Sequence, residues 1–201
     1  SISAIYDEEG KVILYSSVCR DLSERLKLEE KIRHQAFHDA LTGLPNRLLF
    51  QDRLEKSLAL AKRNQKLLAI LFLDLDGFKK INDTLGHDTG DLLLQAVTQR
   101  LLLSVRSSDT VARMGGDEFT IVLTEMEKPE EAGVVACKVL TAIGEQFVIA
   151  GDAIEVTTSI GISLYPMNGA DVQTLMKQAD IAMYIAKGSG KNSYHFYSDL
   201  D

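Results

Sequence analysis

The run Val111-Ala112-Arg113-Met114-Gly115-Gly116-Asp117-Glu118-Phe119-Thr120-Ile121-Val122-Leu123 sets two apolar, β-prone stretches on either side of a glycine pair. Two carboxylates follow the glycines directly. Glycine reaches positive φ without steric cost, so adjacent glycines between strand-like runs predict a tight hairpin, with strands over 109–114 and 118–124. The turn presents Asp117 and Glu118 with no bulky side chain before them. Such a turn suits a site where a ligand approaches the backbone closely and a metal takes oxygen ligands.

Around this hairpin the pattern alternates. The spacing predicts an amphipathic helix over 47–64, then a continuous apolar run over 66–75 that reads as a buried central strand. Helices are expected over 78–85, 89–105, 129–145 and 172–187, and a last strand over 193–197. Between them, Ile154, Val156, Thr158, Ile160, Ile162 and Leu164 point one way and small or polar residues the other, which predicts one half-buried strand over 154–164. Helices interleaved with strands imply an α/β sandwich with a mixed sheet of about five strands. Upstream, residues 1–20 read as a β-hairpin around Asp7-Glu8-Glu9-Gly10, marginal alone and so the end of another domain. Residues 21–38 read as a charged linker helix, with Asp21 and Ser23 able to cap it. The turn-rich segment beginning at Asp39 opens the main domain, 39–201.

Composition narrows the function classes. The formal net charge of −7 argues against coating a nucleic-acid polymer, so a bound nucleotide is small and metal-assisted. Cys19 and Cys137 stand far apart without metal-ligand spacing and read as reduced thiols, consistent with a cytoplasmic protein. The longest apolar run, Leu67 to Leu73, falls well short of the about 20 residues a spanning helix needs, so no membrane contact is expected within this stretch. The chain starts in mid-pattern and reads as a piece of a longer protein, which leaves a membrane anchor elsewhere open.

The chemistry concentrates at Leu73-Asp74-Leu75-Asp76-Gly77-Phe78-Lys79-Lys80-Ile81-Asn82-Asp83. Asp74 lies at the C-terminal end of the buried strand, where open α/β sheets bind ligands. A helix starts directly afterwards, so the N–H groups near Gly77 and Phe78 can hold a phosphate, and Lys79 adds positive charge. If the hairpin packs beside the central strand, Asp74 meets Asp117 and Glu118. Three carboxylates at one point repel unless a divalent cation neutralises them, and hard oxygen ligands select Mg²⁺ or Mn²⁺. The expected chemistry is metal-assisted phosphoryl or nucleotidyl transfer. A lone carboxylate pair after a strand is usually a solvated loop, and a lone Gly-Gly-Asp-Glu a plain turn. Their joint occurrence with Asn82, Gly86-His87 and Gly90-Asp91 sets this sequence apart. Gly188-Ser189-Gly190-Lys191 is not a P-loop, because Ile185 stands at the first glycine position and Asn192 where Ser or Thr is needed.

With these residues assembled, the sequence resembles the GGDEF domain of diguanylate cyclases. The matching segments are 39–47 (DALTGLPNR), 74–91 (DLDGFKKINDTLGHDTGD), 112–119 (ARMGGDEF), 159–163 (SIGIS) and 179–192 (ADIAMYIAKGSGKN). The resemblance implies a nucleotide-cyclase or palm-like fold and the condensation of two GTP into cyclic di-GMP with release of two pyrophosphates. It implies Mg²⁺ (or Mn²⁺) ligands at Asp74 and Asp117, with the Leu75 carbonyl assisting and Glu118 near a second metal. It implies guanine readers at Asn82 and Asp91, and phosphate clamps at Lys79, Lys187 and Lys191. The amides of Gly77 and Phe78 join these clamps, while Gly115 and Gly116 bring the turn to the substrate. Lys79 would stabilise developing charge, and Asp117 would be the proton acceptor for the ribose 3′-OH, unless a metal-lowered pKa makes a dedicated base unnecessary. Each protomer would hold one GTP, so a homodimer is implied for catalysis.

Arg106-Ser107-Ser108-Asp109 places an RxxD pattern nine residues before Gly115. Alone it is a common surface pair; at this offset it resembles the family's inhibitory site for cyclic di-GMP, with Arg able to grip a guanine O6/N7 edge. Residues 1–21 resemble the last strands of a PAS sensor, and 150–197 resemble cyclases that continue into an EAL phosphodiesterase. Two other readings stand beside the enzyme. One is a catalytically silent GTP-binding module regulating an adjacent phosphodiesterase domain; the other is a cyclic di-GMP receptor acting through Arg106 and Asp109.

Overall fold

A computed structural model describes residues 2–17 and 34–198. The chain divides into two compact units, Ser1–Ala36 and Phe37–Asp201. The first contains an antiparallel hairpin of β1 (Ile2–Tyr6) and β2 (Val12–Ser17). Its turn is organised by Asp7, whose carboxylate accepts from the amides of Glu9 and Lys11 at 3.0 and 2.8 Å. Most of the helix expected over 21–38 lies outside the described residues; residues 34–37 are helical.

The second unit runs α1 (Arg47–Asn64), β3 (Leu67–Asp76), α2 (Phe78–Leu85), α3 (His87–Ser104), β4 (Thr110–Gly115), β5 (Glu118–Met126), α4 (Glu130–Gly144), β6 (Phe147–Ile149), β7 (Asp152–Ile154), β8 (Thr157–Tyr165), α5 (Val172–Gly188) and β9 (Ser193–Phe196). Five strands form one sheet in the order β4-β5-β3-β8-β9, antiparallel except for the β8–β9 pair. This is the mixed five-stranded sheet expected from the sequence.

The central position of β3 follows from its composition. Leu68, Ile70 and Phe72 pack with Phe50, Leu54 and Ala61 of α1 and Leu175, Ala179 and Met183 of α5. Ala69, Leu71, Leu73 and Leu75 face the opposite way, onto Leu93, Val97 and Leu101 of α3 and Ala136, Val139 and Ile143 of α4. Each large side chain buried this way is worth about 1.5–3 kcal/mol. A one-residue slip would exchange the two faces and drive Asp74 into the α3–α4 core, so the register of β3 and the position of Asp74 are fixed together.

Two features differ from the sequence reading. The strand expected over 154–164 is broken: Ile154 ends β7, which pairs with β6 in a separate small hairpin, and β8 starts at Thr157. Nor is β8 half-buried. Ser159 and Ser163 on its polar side are buried. The Ser163 hydroxyl donates to the Leu175 carbonyl at 2.8 Å. A Cβ at Gly161 would lie 2.0 Å from the Ala179 carbonyl oxygen and 2.1 Å from the Met183 nitrogen. The small residues are there because the backbone of α5 lies directly on them. Among the described residues no helix is long and apolar enough to cross a membrane.

Candidate functional site

Strand parity builds the site. On β3, Asp74 has the parity of Leu68, Ile70 and Phe72 and therefore lies on the α1–α5 face. Glu118 begins β5, with the parity of Thr120 and Val122, and is the register partner of Asp74. The two carboxylates stand side by side at the end of the sheet. Asp117 sits in the preceding turn, where Gly115 has φ 145° and Gly116 φ 52°, the second a left-handed value that favours glycine. The Leu75 amide donates to the Asp117 carbonyl at 3.3 Å, tying the turn to the end of β3.

Helix α5 brings charge to this face. Lys187, in its last turn, pairs with Asp74 at 2.6 Å. Burial pushes the Asp74 carboxyl up; the Lys187 hydrogen bond opposes this, and Asp117 and Asp76 add to it. Burial also raises the Glu118 carboxyl, together with the charges of Asp74, Asp117 and Asp180. One lysine thus stands among Asp74, Asp117, Glu118 and Asp180, which leaves excess negative charge at this face. Among the described residues no group of three or more acidic, His or Cys side chains is closed around a single point. A short set of oxygen ligands with excess negative charge fits Mg²⁺, which commonly takes one or two carboxylates and completes its shell with water and substrate phosphates.

Asp76 has a different use. Its carboxylate accepts from the Thr157 and Ser159 hydroxyls at 2.7 and 2.8 Å and from the Asn192 amide at 3.2 Å. It fastens the loop after α5, in which Lys191 and Asn192 take φ 65° and 45°. Lys191 is exposed on that loop. At the other end of the site, Gly77 caps α2 with φ 77° and no side chain caps its first turn, which leaves the leading amides available to an anion. Lys79 is exposed on the same turn. Asn82, on α2, packs against Gly90 of α3, and Asp91 is exposed beside it.

Arg113 and Asp180 lie in the matching segments, and the sequence gives neither a role. Arg113 of β4 donates from Nη1 to Asp39 at 2.9 Å, and from Nε and Nη2 to the Gly116 carbonyl at 3.0 and 2.7 Å. It clamps the glycine turn to the loop at 39–46. Burial works against ionisation of Asp39, but hydrogen bonds from Thr42 and Arg113 outweigh it and hold the carboxyl below its ordinary range. Asp180 is the other omission. It stands seven residues before Lys187, two helical turns, so helix periodicity places both on one face.

The RxxD residues lie away from the carboxylates, on a cavity of about 230 Å³ that Ser104, Thr124, Glu131 and Lys138 also line. Asp109 accepts from the amides of Arg106 at 2.9 Å and Thr124 at 3.3 Å. The Arg106 guanidinium is 74% exposed and reaches Glu131 only at 3.9 Å. A larger cavity of about 700 Å³, between α4 and β9, contains none of the expected site residues.

Sheet order, carboxylate placement and glycine turn define an α/β domain with a carboxylate cluster at one end of its sheet, and comparison with known proteins narrows this. Residues 36–193 match the family model described as diguanylate cyclase, GGDEF domain; the chain belongs to this family. It is 44% identical over 185 residues to the bifunctional diguanylate cyclase/cyclic di-GMP phosphodiesterase MucR of Pseudomonas aeruginosa, covering 92% of this chain and 26% of MucR. The solved GGDEF domain of TpbB (YfiN) from Pseudomonas aeruginosa superposes with a TM-score of 0.79 at 38% identity, covering 80% of this chain and 94% of that one. The coiled coil and GGDEF domain of DgcB from Caulobacter crescentus, solved in complex with c-di-GMP, gives 0.74 at 28% identity, with 87% and 93% covered.

Proposed function

We propose that this domain is an active diguanylate cyclase, condensing two GTP into cyclic di-GMP and two pyrophosphates across a homodimer. One observation carries the reading: Asp74 and Glu118 face each other at the strand ends, beside the Asp117 turn and Lys187. In this reading Asp74, Asp117 and the Leu75 carbonyl hold Mg²⁺ or Mn²⁺, with Glu118 near a second ion. The ion supplies charge neutralisation for the substrate phosphates and the reacting 3′-OH. The uncapped amides of α2 at Gly77 and Phe78, with Lys79, Lys187 and Lys191, hold the triphosphate. Gly115 and Gly116 let it approach the backbone, and Asn82 and Asp91 read guanine. The 3′-oxygen of one GTP attacks the α-phosphorus of the other, the α–β bridging P–O bond breaks, and pyrophosphate leaves. Asp117 takes the 3′-OH proton. Lys79 stabilises the charge that develops on the phosphoryl oxygens. The same exchange in the opposite direction closes the ring. Because each protomer brings one GTP, pairing supplies the effective concentration. The 21–38 segment, leading from a PAS-like hairpin, sets that pairing.

Arg106 and Asp109 form a separate site at which cyclic di-GMP inhibits. Of the two, Arg106 has the uncommitted group, since both Asp109 oxygens already accept backbone amides.

The test is incubation with GTP and Mg²⁺ at concentrations that permit dimers, with chromatography for cyclic di-GMP. Product from the native chain and none from Asp117→Ala supports the enzyme. GTP binding without product would replace it with the silent module. Added cyclic di-GMP should inhibit the native chain and leave Arg106→Ala active; equal inhibition of both would remove the Arg106 assignment.

A further inference from the structure

Gly90 is buried at the fourth position of α3, where glycine is less favourable than alanine. An alanine Cβ there would lie 1.8 Å from Asn82 Oδ1, 3.0 Å from Asn82 Cγ and 3.3 Å from Phe78 Cζ. The nearest obstacles are therefore side chains of α2, and the severe one is a single amide. Gly161 is the opposite case, since its obstacles are helix backbone. Asn82 Oδ1 is also buried without a hydrogen-bond partner. A buried carbonyl oxygen left unpaired is costly, so the packing that holds the amide in this orientation is expected to have a use. Two unfavourable features, a helical glycine and an orphaned acceptor, thus meet at one contact.

We propose that Gly90 is a positioning residue for base recognition. By lacking a Cβ it lets the Asn82 carbonyl oxygen lie against α3, which turns the amide nitrogen outward to donate to an acceptor of guanine. This rests on the assignment of Asn82 as a guanine reader. Gly90 itself touches no substrate in this account; it acts through Asn82. Substitution by alanine should therefore separate two quantities that usually move together. Helix propensity favours alanine, whereas displacement of Asn82 removes one hydrogen bond to the base.

The experiment is a double-mutant cycle on the whole chain with Mg²⁺, using Gly90→Ala, Asn82→Ala and the double variant. Affinity for a non-hydrolysable GTP analogue is measured by calorimetry and stability by urea unfolding. Gly90→Ala and Asn82→Ala should each weaken binding by about tenfold, and the double variant should bind no more weakly than Asn82→Ala alone. Adding Gly90→Ala to Asn82→Ala should raise the urea midpoint, because the collision is gone. If Asn82→Ala leaves affinity unchanged, the guanine-reader assignment falls, and the proposal with it. If Asn82→Ala weakens binding but Gly90→Ala does not, or if the two losses add, the positioning role alone is overturned. Should Gly90→Ala fail to fold, a folded double variant with the affinity of Asn82→Ala supports the contact; a double variant that also fails to fold overturns it.

Discussion

Replacing Arg113 by methionine keeps an apolar stem and removes the guanidinium that clamps the glycine turn. Arg113 is 10% exposed and its partner Asp39 25%. The hydrogen bonds divide into two sets: one to the Asp39 carboxylate, and a fork of two onto the Gly116 carbonyl. A hydrogen bond to a charged group is worth about 1.5–3 kcal/mol net, and partial exposure discounts the Asp39 arm to about 1–2. Asp39 retains the Thr42 hydroxyl and amide at 2.6 and 2.9 Å, so it is not orphaned. The fork shares one acceptor and adds about 1–2 kcal/mol. Arg113→Met should therefore lose about 2–4 kcal/mol in urea unfolding. Arg113→Lys should recover little, because one ammonium cannot span both acceptors. Gly116 immediately precedes Asp117, so the released turn moves a proposed metal ligand, and a shift near 1 Å costs on the order of 100-fold in turnover. Cyclic di-GMP formation, measured where the variant is folded, should drop at least tenfold. A stability loss below about 0.5 kcal/mol, or native turnover, would refute the clamp.

Other expectations follow from single contacts. Asp39 is depressed in the fold from its ordinary 3.8, so its contribution is complete above that value and lost as pH falls through the folded value. The stability gap between the native chain and Asp39→Asn should thus close on acidification, as read by urea midpoints from neutral to strongly acidic pH; a constant gap would contradict it. Asp74 is shifted the other way, so the folded state holds its proton more tightly and this group costs stability as pH rises above 3.8. Without metal, Lys187→Met should enlarge that cost to about 1–2 kcal/mol at neutral pH and little under acidic conditions, measured by unfolding at both; equal losses would argue against the pair. Gly161→Ala drives a methyl into the backbone of α5 and should cost about 3 kcal/mol or more in the same assay, whereas a loss under 1 would mean that α5 slides freely.

The sheet was legible because β3 is apolar at almost every position and the Gly115-Gly116 pair announces its hairpin. Once those two strands are neighbours, parity alone sets Asp74 beside Glu118. The small side of β8 misled for a physical reason. Gly161 and Ser163 look like solvent-facing residues, yet they are small because α5 packs onto them. The Arg113–Asp39 clamp joins residues 74 positions apart, and no local pattern announces such a contact. Asp76 stands two residues from Asp74 in the same strand, and only the fold shows that its carboxylate is spent on Thr157, Ser159 and the Asn192 amide. The collision that ties Gly90 to Asn82 required the crossing of α2 and α3 to be known.

The central claim, that this carboxylate site joins two GTP molecules, is tested most directly by product stoichiometry. Purified chain is incubated with GTP and Mg²⁺, and pyrophosphate and cyclic di-GMP are quantified in the same sample. Two pyrophosphates per cyclic di-GMP, with a rate per protomer that rises with protein concentration as pairing increases, is the predicted result. Pyrophosphate or orthophosphate released without cyclic product, or GTP bound and left intact, would contradict it.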